Sequence, residues 1–99
     1  MQIVTTGVAG TMESSDIIIR IEPNDQEGIE LSIDSSVMQQ FGKQIEKVIR
    51  KTLFDLGVTS AVVSAVDKGA LDCTIAARVS TAAYRASERT DYVWNGGVN

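Results

Sequence analysis

Between positions 17 and 22 the chain alternates strictly. Ile17, Ile19 and Ile21 fall on one side of an extended strand and Ile18, Arg20 and Glu22 on the other, until Pro23 stops the run. A polar loop over 23–28 leads to a second alternation, Ile29, Leu31 and Ile33 against Glu30, Ser32 and Asp34. Two such runs with a short connection predict an antiparallel pair whose apolar sides share one face of a core.

The period then changes from two to three or four. Val37, Phe41, Ile45, Val48, Ile49, Leu53 and Leu56 form one stripe, which predicts a long helix over about 37–56. Ser36 is placed to cap it with Gln39 as the reciprocal partner, Glu46 and Arg50 are spaced for an ion pair on its outer side, and Gly57 supplies the stop. The helix is expected to lie across the strand face, because neither layer can bury its apolar side alone.

Beyond it, Ala61, Val63 and Ala65 alternate with Val62, Ser64 and Val66, and Asp67-Lys68-Gly69 offers a tight turn. The next segment fits two periods. Leu71, Cys73, Ile75, Ala77 and Val79 read as a strand, whereas Leu71, Ile75, Val79, Ala82 and Ala86 read as a helix. The expectation is a strand to about Val79 that completes a second hairpin, followed by a shorter C-terminal helix. Upstream, 7–12 reads as extended and Glu13-Ser14-Ser15-Asp16 as a turn of small and acidic residues. The fold class is α+β, a two-layer sandwich of a mainly antiparallel sheet with one long helix, in a single domain over 1–99 whose 90–99 tail, containing Trp94, Gly96 and Gly97, is expected to be mobile.

Composition narrows the function. The 99 residues carry a net charge of −4 and no histidine, which removes the commonest general base and metal ligand, and the one cysteine leaves no thiolate cluster for zinc. Neither catalytic residues nor a metal site are expected. The acidic balance lacks the phosphate-neutralising footprint of a nucleic-acid binder, and no apolar run approaches the ~20 residues that span a bilayer. A start that lacks the charged and apolar regions of a signal peptide, together with an unpairable Cys73, points to the cytoplasm. Cys73 itself reads as a small buried hydrophobe, since nothing near it in sequence would depress its pKa.

A carrier protein needs one exposed hydroxyl or amine on a small-residue turn, reachable by a modifying enzyme and free to present a swinging arm. Ser14 fits that description, although an ordinary hydrogen-bonding turn serine is the commoner case. Glu13 and Asp16 flank it, either as recognition residues or as charges that keep the turn soluble. Asp67, Lys68 and Asp72 are candidates for docking a partner or an arm, with a solvated turn as the plainer alternative.

Val8-Ala9-Gly10-Thr11-Met12-Glu13-Ser14-Ser15-Asp16 closely resembles the amino-terminal motif of citrate lyase acyl carrier proteins. Further matching stretches are Ile19-Arg20-Ile21, Ser35-Ser36-Val37, Gln40-Phe41-Gly42, Asp67-Lys68-Gly69-Ala70-Leu71-Asp72-Cys73 and Ala77-Arg78-Val79. The resemblance implies that Ser14 is the covalent attachment site, through a phosphodiester, of 2'-(5''-phosphoribosyl)-3'-dephospho-coenzyme A. It also implies a non-catalytic phosphoprotein subunit of a citrate-fermentation complex, with an alpha acyl transferase subunit, a beta citryl lyase subunit and a dedicated prosthetic-group transferase as partners. Ser15 places a second hydroxyl beside the first, and the resemblance favours Ser14.

Three other readings stand beside this one. A carrier of a citramalate lyase or malonate decarboxylase would use the same kind of arm. Biotinyl and lipoyl carriers modify a hairpin lysine, which Lys68 superficially matches. An unmodified protein-binding domain would offer a sheet edge or helix face to its partner. A helical-bundle phosphopantetheine carrier fits poorly, because Ser14 precedes a run of strand-forming isoleucines.

Overall fold

The alternation over 17–22 is realised in full, with Ile17, Ile19 and Ile21 completely buried and Arg20 exposed beside Glu22, with which it pairs. The computed structural model describes residues 1–36 and 38–87. In chain order the elements are β1 (Gly7–Ala9), β2 (Ile17–Glu22), β3 (Gly28–Ser35), α1 (Met38–Asp55), β4 (Ser60–Asp67) and α2 (Asp72–Ser87). The α+β class and the two-layer arrangement hold.

The strands form one mixed sheet in the order β1-β2-β4-β3, with β1 and β2 antiparallel, β2 and β4 antiparallel, and β3 and β4 parallel. The register aligns Ile19, Ala65 and Ile33 in one row and Ile21, Val63 and Leu31 in the next. These face a common core with Ile45, Ile49 and Leu53 of α1 and Ile75, Val79 and Ala82 of α2. Both helices therefore cover one side of the sheet. Arg20, Glu30, Ser32 and Asp34 lie exposed on the other.

Two expectations fail here, for one reason. β2 and β3 run in opposite senses but do not pair, because β4 lies between them. That strand buries every second residue almost completely, whereas β3 is only half-buried along its apolar side and carries Glu30 and Asp34, the kind of charge that suits a sheet edge. With both edges of β4 occupied, 71–79 cannot form a hairpin with it, and 72–79 is the first half of α2. The expected second hairpin is absent, and the 67–69 turn joins a strand to a helix. The helical period wins in α2, where Ile75, Val79, Ala82, Ala83 and Ala86 are buried and Leu71, Cys73 and Ala77 are exposed.

Alanines in that helix allow a close approach to β1. A Cβ on Gly7 would sit 2.1 Å from the Ala82 carbonyl oxygen and 2.5 Å from the Ala86 nitrogen, so only glycine fits where β1 passes beneath α2. The Ala86 carbonyl at the end of the helix accepts from the amides of Val4 and Thr5, both at 2.9 Å.

The long helix follows the expected stripe, with Ile45, Ile49 and Leu53 inward and Glu46 bonded to Arg50 at 2.8 Å outside. Phe41, expected on the inward stripe, is half exposed. Gly57 ends α1 as expected: at positive φ it lets the Val58 amide donate to Leu53 at 2.9 Å while its own amide donates to Phe54 at 3.0 Å, a Schellman termination. Val37, the Ser36–Gln39 capping box, Trp94 and the 90–99 tail lie outside the described residues and side chains.

Candidate functional site

The segment between β1 and β2 is a tightly determined loop whose backbone is fixed while the side chains at its tip face solvent. Gly10 opens it at positive φ, where a Cβ would lie 1.8 Å from the Ile17 carbonyl oxygen. The Asp16 amide donates to Glu13 at 3.2 Å, closing a turn with Ser14 and Ser15 at its corner. Ser15 occupies the left-handed region, φ 68°, which is uncommon for a non-glycine residue.

Asp16 pins this loop from inside. Its Oδ2 accepts from the Thr11 amide at 3.1 Å and the Thr11 hydroxyl at 2.6 Å, and its Oδ1 accepts from the Ile17 amide at 2.7 Å. Arg78 on α2 approaches both oxygens, Nε at 3.0 Å and Nη2 at 2.9 Å. The Arg78 guanidinium, then the Thr11 hydroxyl and the Ile17 amide, hold the Asp16 carboxyl well below the usual carboxylate range. The Thr11 hydroxyl in turn accepts from the Glu13 amide at 3.2 Å.

A second anchor comes from the segment after β4. The Ser15 amide donates to the Lys68 carbonyl and the Lys68 amide to the Asp16 carbonyl, both at 2.8 Å. Lys68 is itself held because Asp67, almost completely buried, accepts from the Ser35 hydroxyl at 2.8 Å, the Gly69 amide at 3.1 Å and the Ala70 amide at 3.0 Å. Ser14 is exposed at the corner of this scaffold, as are its neighbours Thr11, Met12, Glu13 and Ser15, and its hydroxyl makes no hydrogen bond among the described residues. The arrangement suits a modification site: a fixed backbone with a solvent-facing hydroxyl that nothing has to release.

Bordered by the segment after β4, a groove of about 660 Å³ opens between the first turns of α1 and α2. Phe41, Ile45, Ala70, Leu71 and Ile75 give it an apolar lining, and Gln44, bonded to Asp72 at 2.8 Å, lies along it. Phe41 is half exposed and Leu71 mostly exposed, so both present apolar surface to the groove.

A model of the malonate decarboxylase delta subunit (MdcD) family matches residues 4–86. A citrate lyase acyl carrier protein of Streptococcus mutans is 55% identical over 94 residues, which is 95% of this chain and 92% of that protein. The citrate lyase acyl carrier protein 2 of Salmonella typhimurium is 53% identical over 95 residues, 96% of this chain and 98% of its own. The chain belongs to the citrate lyase acyl carrier protein family. Members of this family are carriers rather than catalytic subunits. The same fold occurs in a chain of a Pseudomonas malonate decarboxylase hetero-tetramer solved with malonate, at a TM-score of 0.67 and 20% identity, covering 87% of this chain and 92% of that one.

Against the family's expected site, the structure sorts the sequence candidates. Ser14, Ser15 and the backbone of Lys68 come together, while Asp72 stands apart on α2, exposed and bonded to Gln44. Asp16 is buried rather than displayed for recognition or solubility, and Asp67 is too buried to dock anything. Cys73, expected to be buried, is exposed in the first turn of α2, because the helix turns positions 71 and 73 outward where a strand would have turned them in. Sequence reasoning missed the clamp by Arg78, whose only signal was an arginine in a matching stretch on a segment read as a strand. Among the described residues no group of three or more His, Cys, Asp or Glu is placed to hold a metal ion, and no helix is long and apolar enough to cross a membrane.

Proposed function

We propose that the chain is the acyl carrier subunit of a citrate lyase complex, loaded at Ser14 through a phosphodiester with 2'-(5''-phosphoribosyl)-3'-dephospho-coenzyme A. The observation that carries this reading is the exposed, unbonded Ser14 hydroxyl on a loop pinned by Asp16, Arg78 and Lys68, in a chain 55% identical to a citrate lyase acyl carrier protein. The free hydroxyl fits covalent attachment, since no hydrogen bond is lost when its proton is replaced. When bound, the group supplies a terminal thiol on which acetyl or citryl is carried as a thioester, more electrophilic than the free acid.

The chain's own residues contribute position. Thr11, Asp16 and Arg78 fix the direction in which Ser14 leaves the surface, and the exposed flanks give a transferase access. Alpha and beta subunits of the complex supply acyl transfer and citryl cleavage, for which this histidine-free chain has no groups, and the working compartment is the cytoplasm. Tethering replaces diffusion by a high local concentration at each partner's site.

A carrier for malonate decarboxylase or citramalate lyase is the second reading, favoured by the MdcD family model. The 55% and 53% identities to citrate lyase carriers weigh for the first. Intact-mass analysis with peptide mapping of protein from citrate-grown native cells tests both. The expected result is the mass of the group on Ser14 and its loss in Ser14→Ala. An unmodified Ser14 in a fully active complex overturns the proposal, and mass on Ser15 or Lys68 retains a carrier with a different site.

A further inference from the structure

We infer that the apolar groove between α1 and α2 is a resting berth for the thiol-bearing end of the arm, sheltering its acyl thioester between visits to the partner subunits. This rests on attachment at Ser14. The groove wall is built by Gly69, Ala70, Leu71 and Cys73, the direct continuation of Lys68, whose backbone is bonded on both sides of Ser15 and Asp16. An arm leaving Ser14 therefore starts one short stretch of backbone away from the groove.

The lining suits that occupant. Phe41, Ile45, Leu71 and Ile75 offer apolar surface to methylenes and to an acetyl group, and the Gln44 side chain, which donates its amide N–H to Asp72, keeps a carbonyl oxygen that can accept from an amide of the arm. Of the two carboxylates that line it, buried Asp67 is fully engaged by Ser35, Gly69 and Ala70, and exposed Asp72 accepts from Gln44. The opening is broad, so the occupant enters and leaves without a moving lid.

Tethering supplies the rest of the argument. A covalently attached group experiences an effective concentration on the order of millimolar, so a groove with only weak affinity is occupied for much of the time and still releases its guest. Such an occupant keeps water from the thioester carbonyl. It also explains why Phe41 and Leu71 are apolar at exposed positions.

Cys73, the chain's one cysteine, is exposed on the groove and serves as the reporter. Acetyl-loaded protein, whose modification at Ser14 is first verified by mass, is compared with apo protein for the rate of Cys73 alkylation by iodoacetamide. Backbone amide shifts at 41, 44 and 69–75 are recorded in parallel. The expected outcome is several-fold slower alkylation and shifted groove amides in the loaded form, both reverting toward apo values in Phe41→Ser and Leu71→Ser, whose exposed side chains leave folding intact. Equal alkylation rates, with shifts confined to 13–16, would place the arm in solvent and overturn the berth while leaving attachment standing. A native protein with no mass on Ser14 would instead remove the attachment and the berth together.

Discussion

Arg78 and Asp16 are 62 positions apart and meet in a two-pronged ion pair, Nε on Oδ1 and Nη2 on Oδ2, that ties the middle of α2 to the Ser14 loop. The loop's shape therefore depends on the helix, although no residue of the helix is near Ser14 in sequence.

Acid sensitivity follows from that pair. Asp16 has its pKa depressed in the folded state, so its contribution is fully present above the ordinary carboxylate value of about 4 and is lost as pH falls below it. Asp16→Asn should lower Tm by several degrees at neutral pH, and the gap to the unaltered protein should narrow toward about pH 2. Thermal unfolding across that range tests this, and an equal gap at both ends would show that the ionised pair is not what stabilises the loop.

Ser15 carries a conformational cost that glycine would not. At φ 68° a non-glycine residue is strained, so Ser15→Gly should raise stability by about 0.5 kcal/mol, less than the full left-handed penalty because glycine also loosens the unfolded chain. Urea unfolding measures it. A destabilisation would mean that the Ser15 side chain makes up for its backbone.

Gly7 and Ser14 mark the two extremes of tolerance near β1. Gly7→Ala forces a methyl into the backbone of α2 and should cost about 2 kcal/mol or more. Ser14→Ala should stay within about 0.5 kcal/mol of the parent while abolishing modification, since its hydroxyl is exposed and unbonded. Paired denaturation curves and mass spectra check this, and a strongly destabilised Ser14→Ala would reveal a structural role for the serine.

Asp67 is a structural acid, and its replacement should act on the site from below. Asp67→Ala leaves the Gly69 and Ala70 amides without their acceptor and should cost about 2 kcal/mol. The Lys68 carbonyl that holds Ser15 would be loosened with it, so modification of Ser14 should slow while the protein is still folded, as time-resolved mass spectrometry with the transferase would show.

Much of this was legible in one dimension. The alternation of Ile17, Ile19 and Ile21, the stripe through Ile45, Ile49 and Leu53, the stop at Gly57 and the turn bearing Ser14 are all local patterns, fixed by the two periods of backbone geometry and by turn chemistry. The family motif around Ser14 is local too. None of these needs a distant partner to be recognised.

What the tertiary structure alone decided is which elements meet. β4 lies between β2 and β3 and buries every second residue, and with both its edges filled 71–79 adds no hairpin strand to it and 72–79 folds as helix. From that choice follow the exposure of Cys73, the reach of Arg78 to Asp16 and the groove bordered by Gly69, Ala70 and Leu71. Periodicity specifies which side of a segment is apolar, whereas the pairing of segments is settled by competition for edges and buried area, and that competition exists only when the whole chain is folded.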